Sequence, residues 1–315
     1  MSRLSNLRGE ILEVISSLAW GYKPIGQVGT KLLPFATIPK MQVKIPKYGM
    51  DAFRRYKTKR GLGADSNRMP VDDRNWQTVE TVEHDAEFPI DYLEEKEANF
   101  DLQKHAAFRA KAAVEMELEC EIATLLQTLS NYNASNQTTL TGADKWSDQE
   151  HSDPVSDIET GKNAIRSAIG MKPNTLLLGY QSYLDLKEHP ALLDKIKYSM
   201  KGIITEELMK EIFDIKDIYI GESVYVADTG TTFTDLWSDN AILAYVPKTG
   251  ASEEASVYEP AMGYTVRREG NPFVFQHQPH PKLTLVNYTD NFAPVLVGID
   301  GSDKIIAGYI INDTH

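Results

Sequence analysis

Apolar residues recur at three- and four-residue steps through Ala107, Ala110, Val114, Leu118, Ile122, Leu125 and Leu129, the spacing of one face of an α-helix. The stretch from Tyr92 to Tyr132 has no proline or glycine and is rich in Ala, Glu, Lys and Leu. It therefore predicts a single helix of roughly 35 residues, about 50 Å long. A shorter helix is expected where Leu4, Leu7, Ile11, Val14 or Ile15 and Leu18 fall at helical spacing. Ser152-Asp153-Pro154 reads as a helix start, with proline pre-set for the first turn, and that helix runs through Ile158, Ala164, Ile165 and Ala168 to Gly170.

Thr175-Leu176-Leu177-Leu178 is short, wholly apolar and bounded by Pro173 and Gly179, as a strand covered on both faces would be. Helices are expected around Gln181 to Lys187, Ala191 to Tyr198 and Thr205 to Phe213, then a strand over Asp217 to Ala227. From Ala241 onward alternating segments predict strands at 241–246, 263–268, 273–276 and 282–288, with 293–299 and 304–311 as a closing pair around Asp300-Gly301-Ser302-Asp303. Asn131 to Thr141 reads as a polar turn region. This alternation of helices and short buried strands marks an α/β or α+β unit.

Two segments break the pattern. Between Lys23 and Lys47, Pro24, Pro34, Pro39 and Pro46 with Gly26 and Gly29 forbid a long helix. Yet Ile25, Leu32, Leu33, Phe35 and Ile38 are too apolar for a solvated linker, so this ribbon must lie on another surface. It is expected to be separable from the folding of the remaining body. Met50 to Arg74 carries Arg54, Arg55, Lys57, Lys59, Arg60, Arg68 and Arg74 with little to bury. A polar excursion of this length predicts a protruding hairpin or lid, and Gln77 to Ile90 a returning strand.

Charge sharpens this division. Residues 1–74 hold 14 Lys or Arg against 6 Asp or Glu, a balance of +8, whereas the remainder holds 19 against 39, a balance of -20. A basic leading segment on an acidic body suggests docking on acidic surface, its own or a neighbour's; the net charge of -12 argues against general nucleic-acid binding. One cysteine, Cys120, permits no internal disulfide. No apolar run approaches the ~20 residues a membrane helix needs, so no membrane association is expected and the chain is placed in cytoplasm.

Candidate chemistry is sparse. His84, His105, His151, His189, His277, His280 and His315 form no metal-ligand pattern; no nucleophile elbow or Walker sequence occurs. Glu115, Glu117, Glu119 and Glu121 alternate around the predicted helix and are expected on a solvated or interfacial face. Asp144, Asp148, Asp153 and Asp157 are expected to cap and turn rather than hold calcium. Hence no catalytic residue, metal or cofactor is assigned.

Lys145-Trp146-Ser147-Asp148, Ser152-Asp153-Pro154-Val155-Ser156-Asp157-Ile158, the run from Gly170 to Gly179, Leu236-Trp237-Ser238-Asp239 and Leu243-Ala244-Tyr245-Val246-Pro247 resemble the major capsid proteins of tailed bacteriophages. Leu18-Ala19-Trp20-Gly21-Tyr22 and Leu32-Leu33-Pro34 resemble that family's amino-terminal arm. The resemblance implies the HK97-like coat fold, with an arm over 1–47, an extended loop over 48–88 and a peripheral domain with its spine helix over 89–150. An axial domain would follow over 151–237, then return strands over 238–295 and a terminal strand over 296–315 joining the axial domain.

The resemblance also implies an icosahedral shell of pentamers and hexamers around packaged double-stranded DNA, assembled in the host cytoplasm. Partners would be further copies of the chain, a separate scaffolding protein, a portal protein and, in some shells, a decoration protein. The basic loop residues named above, and Ile25, Leu32, Leu33, Phe35 and Ile38 of the arm, would contact neighbouring subunits. An encapsulin-like compartment shell and a soluble enzyme with a lid over 50–74 remain the alternatives.

Overall fold

A computed structural model of the chain describes residues 10–11, 26–47, 55, 58–62, 65–68, 76–97, 101–196, 205–227, 230–247 and 261–315. Two β-sheets share one long helix. The larger sheet has the order β1 (Glu10–Ile11), β13 (Phe273–His280), β14 (Leu283–Leu296), β12 (Gly263–Arg268) and β2 (Phe35–Ile38), while β5 (Val82–Asp91) pairs with β14. Its pairings are antiparallel except that of β2 with β12.

Helix α3 (Leu102–Gln127) lies across this sheet. It buries Ala107, Ala110, Val114, Leu118 and Ile122 against Val274, Val286, Tyr288 and Phe292, the stripe its spacing predicts. It is shorter than the expected single helix. Asp101 accepts a hydrogen bond from the Lys104 N–H at 3.1 Å as N-cap, so a separate short helix, α2 (Tyr92–Glu97), precedes it. Its length is thus about 39 Å at 1.5 Å per residue.

The smaller sheet runs β6 (Gln137–Thr139), β15 (Gly308–Asn312), β11 (Ala241–Ala244), β7 (Thr175–Gly179) and β8 (Asp217–Gly221). Leu177, Ile242, Ala244 and Ile310 face the α3 core. Leu176, Leu178, Leu243 and Ile311 face a second core with helices α4 (Pro154–Ile169), α5 (Tyr180–Glu188), α6 (Pro190–Ile196) and α7 (Glu206–Phe213). Both faces are covered, which is why β7 carries the apolar run Leu176-Leu177-Leu178 and is buried throughout. Asp153 caps α4 by accepting from the Ser156 N–H at 3.2 Å, and Gly170 ends it at φ 72°, where a residue with a Cβ would be strained.

Several expectations are corrected. Segments 282–288 and 293–299 are not two strands: β14 is continuous through Asn287-Tyr288-Thr289-Asp290-Asn291, all five of them buried, and pairs with β5 through this stretch. The closing pair is reduced to one bridge, Ile299 with Ile305, and β15 instead joins β11. β11 itself sits in the smaller sheet, so the return to the larger sheet begins only with β12. Residues 217–227 divide into β8 and β9 (Val224–Tyr225), which pairs with β10 (Thr234–Asp235). The expected turn at 131–141 contains β6. Glu10 and Ile11 pair with Gln276 and Phe275 as a strand, so no helix runs unbroken from Leu4 to Leu18; the other residues of that span lie outside the described ones.

Candidate assembly interface

The ribbon before residue 47 is built into the chain's own core. A one-turn helix, α1 (Gly29–Leu32), packs on α3, and Leu32 and Leu33 are fully buried. Leu33 and Pro34 carbonyls accept from the Thr265 hydroxyl at 2.9 Å and the Thr265 N–H at 3.0 Å, steering the chain into β2 beside β12. Ile38 is also buried. Leu32, Leu33 and Ile38 therefore satisfy their own subunit, correcting the expectation that they contact a neighbour. Phe35 is half-buried under the Arg267 guanidinium, 3.7 Å above its ring. Ile25 lies outside the described residues.

Glu119 fastens this ribbon. Its carboxylate accepts from the Val28 N–H at 2.8 Å, from the Gly29 N–H at 2.9 and 3.0 Å, and from Trp237 Nε1 at 2.8 Å. Only 1% of the residue is exposed and its partners are in its own chain, which corrects its placement on a solvated or interfacial face. Burial pushes its carboxyl upward, against the pull of the Val28, Trp237 and Gly29 donors. A Cβ on Gly29 would stand 2.8 Å from Glu119 Oε2 and 2.9 Å from Ile122, so glycine lets the backbone approach the carboxylate. Periodicity placed the Glu residues on different helix faces but carried no signal that a distant N–H pair awaited one of them.

The basic loop rises from a defined base. β3 (Gln42–Pro46) and β4 (Trp76–Glu80) form an antiparallel pair, with Pro46 opposite Trp76. Alternation explains it: Ile45 and Val79 point into a cluster with Tyr264, Val266 and Val295, while Lys44, Trp76 and Glu80 are exposed. Lys47 at its foot pairs with Asp303. The chain thus leaves and re-enters at one point, as a protruding hairpin requires. Arg55, Lys59, Arg60 and Arg68 are exposed, and no ion pair joins any of them to a described residue. Arg54, Lys57 and Arg74 lie outside the described residues.

Other polar groups have structural partners. Asp148 accepts from the Glu150 and His151 N–H groups, and Trp146 Nε1 donates to Asp157 at 2.9 Å, as capping and turn formation predict. No cluster of three or more metal-ligating side chains occurs among the described residues. The Ser152 hydroxyl and His189 Nε2, 2.9 Å apart, form a pair the sequence reading missed. His189 Nδ1 accepts from the Ala191 N–H, so Nε2 carries the proton and donates to the serine. Ser152 in turn donates to the Asp148 carbonyl, the wrong polarity for a base that activates a nucleophile. Cys120 lines a shallow groove of about 360 Å³ with Glu117, Glu121, Thr124, Leu125, Thr128 and Asn131. Burial and then Glu117, Glu119 and Glu121 push its thiol upward, away from the reactive thiolate.

Comparison with known proteins places these features. Residues 121–284 match the family model of phage major capsid protein E. The chain is 44% identical over 312 residues to the major capsid protein of Burkholderia phage BcepMu, covering 99% of each. It is 24% identical over 225 residues to that of Pseudomonas phage JBD67, covering 70% of this chain and 71% of the relative. The crystal structure of a phage-related protein from Bordetella bronchiseptica superposes with a TM-score of 0.78 at 27% identity, covering 98% of each chain. The virus-like particle from Pyrococcus furiosus superposes with a TM-score of 0.55 at 12% identity, covering 94% of this chain and 95% of that one, a likeness of fold alone.

Proposed function

The chain belongs to the phage major capsid proteins, and we propose from this that its basic loop is the element that joins each subunit to the next in the shell. Its fold is the α+β, HK97-like coat fold, and its place is the virion capsid. The observation carrying the loop's role is a hairpin base that delivers exposed Arg55, Lys59, Arg60 and Arg68, none of them ion-paired to a described residue, beyond a body whose balance is -20 over residues 75–315. Single exposed charge pairs contribute only about 0–1 kcal/mol. Repeated around a closed shell, they set register and become strong through multivalency.

In this reading the extended loop expected over 48–88 is the excursion between β3 and β4, since β5 belongs to the larger sheet, and α3 is the spine of the peripheral domain, with that sheet beneath it. The smaller sheet and its helices form the axial domain around the centre of pentamers and hexamers. Double-stranded DNA is enclosed without specific binding, since an acidic wall repels phosphate. A scaffolding protein, a portal and a decoration protein are the proposed partners, and the host cytoplasm the proposed place of assembly. No helix among the described residues is long and apolar enough to cross a membrane. The encapsulin-like alternative is not favoured, because the relative at 44% identity is a phage coat protein.

Reversing Arg54, Arg55 and Arg60 to Glu tests the loop. The variant is expected to keep the far-ultraviolet circular dichroism of the parent and to form no closed particles in electron micrographs. Regular shells from it would overturn the assignment.

A further inference from the structure

The joint between α5 and α6 is held by a side chain that can make its bonds only while it is neutral. α6 opens on Pro190, which has no N–H, so the Ala191 N–H is the first donor of that helix in need of an acceptor. His189 Nδ1 accepts it at 3.2 Å. The main chain of the same residue closes the joint on both sides: its N–H donates to the Leu186 carbonyl at 3.3 Å, and its carbonyl accepts from the Leu192 and Leu193 N–H groups, each at 3.1 Å. Across the ring, Nε2 donates to the Ser152 hydroxyl at 2.9 Å, which ties the joint to the segment before α4. His189 is only 1% exposed, and Leu186 and Leu192 on either side of it are buried in the second core.

A proton arriving at Nδ1 has no acceptor to meet. It would make Nδ1 a donor facing the Ala191 N–H, so that a bond becomes a repulsion. The charged groups facing the ring are Asp153 at the start of α4 and Asp185 of α5, with the Asp148 carbonyl also beside it; α6 has no charged residue before Asp194. Two other histidines bond to aspartates of this region: His315 Nδ1 lies 2.9 Å from Asp185, and His151 Nδ1 lies 3.2 Å from Asp148. A proton on either of those meets a carboxylate. Burial pushes the His189 imidazole below its usual range, against the pull of Asp153, the Asp148 carbonyl and Asp185.

We infer that His189 is an acid-released latch: neutral, it holds α6 to α5 and to the turn at Ser152, and protonated, it lets α6 come away while the smaller sheet stays folded. The release is local because the pairing of β7 with β11 and β8 uses none of these groups. Its sign follows from burial. A histidine that holds its proton less tightly when folded lends stability above its ordinary value of about 6.5 and withdraws it as pH falls below.

Amide hydrogen exchange of the full chain tests the latch, with protection factors corrected for the intrinsic rate at each pH. From about pH 7.5 to about pH 5.5, residues 186–196 are expected to lose protection by about three-fold or more, and by at most about ten-fold per pH unit, while β7 keeps its own. His189→Asn leaves an oxygen in place of Nδ1, a favoured acceptor at a helix start, and does not titrate. Whatever its level, its protection over 186–196 is expected to stay flat across this range. His151→Gln with His315→Gln is expected to respond as the parent does. Constant protection over 186–196 in the parent overturns the inference, as does a loss shared equally by β7. A response that survives in His189→Asn, or vanishes in the double variant, overturns it too. Should His189→Asn fail to fold, the parent and the double variant still decide.

Discussion

Trp237 donates its indole N–H to Glu119 at 2.8 Å across 118 residues of sequence, with both side chains buried. The same carboxylate holds the Val28 and Gly29 N–H groups, so one residue of α3 ties down the leading ribbon and the segment that enters the smaller sheet. Glu119→Ala leaves three donors without an acceptor. Each costs about 1–3 kcal/mol, so urea denaturation is expected to show a loss of several kcal/mol. Glu119→Gln keeps an acceptor at Oε1 but turns an amide toward Gly29, and its loss is expected to be smaller. Equal midpoints for Glu119→Ala and the parent would show that the junction contributes nothing.

Removal of residues 1–47 is expected to unfold the body instead of sparing it. Leu32, Leu33, Ala36, Ile38 and Ile45 are all at most 2% exposed, and burying each large aliphatic side chain contributes roughly 1.5–3 kcal/mol. Four such losses are comparable with the 5–15 kcal/mol that holds a typical domain. A truncated chain with a cooperative thermal transition near that of the parent would contradict this.

Burial is the largest influence on Glu115, Glu119, Glu121 and Asp290, and raises the carboxyl of each. The folded chain therefore holds these protons more tightly than the unfolded chain. Their contribution to stability is present at low pH and is lost as pH rises from the ordinary carboxylate values of about 3.9 (Asp) and about 4.3 (Glu) through the raised ones. Glu115→Gln removes one such titration. Relative to the parent, its urea midpoint is expected to improve as pH rises from about 4 toward neutrality; a constant difference across that rise would refute it.

Trp146→Phe tests a capping contact. Trp146 is fully buried and its indole N–H is bonded to Asp157 in the first turn of α4. Phenylalanine fills most of the volume but leaves that half-buried carboxylate without its donor, so a loss of about 1–3 kcal/mol is expected. The additional substitution Asp157→Asn should recover part of it, whereas a cavity effect alone would leave the two losses additive.

Local signals made much of the fold legible. The stripe from Ala107 to Ile122, the Asp153-Pro154 start and Gly170 end of α4, and the apolar run of β7 each declare themselves within one element, since periodicity and capping are decided by near neighbours. The resemblance carried by the segments around Trp146, Gly170 and Trp237 added the family. The loop was legible as a basic excursion, but its β3 to β4 base depends on a pairing across the excursion itself.

By itself, then, the sequence determined where helices and apolar strands form, how charge divides between the leading segment and the body, and which family the chain resembles. Only the tertiary structure decided that Glu119 is interior, that Leu32, Leu33 and Ile38 are spent within their own subunit, and that β14 runs unbroken through a polar stretch. Burial is set by what arrives from distant positions, such as Val28 and Trp237 at Glu119 or Asp85 at Thr289. A side chain's polarity states what partner it needs, and the folded chain alone settles whether that partner is water, its own backbone or the next copy.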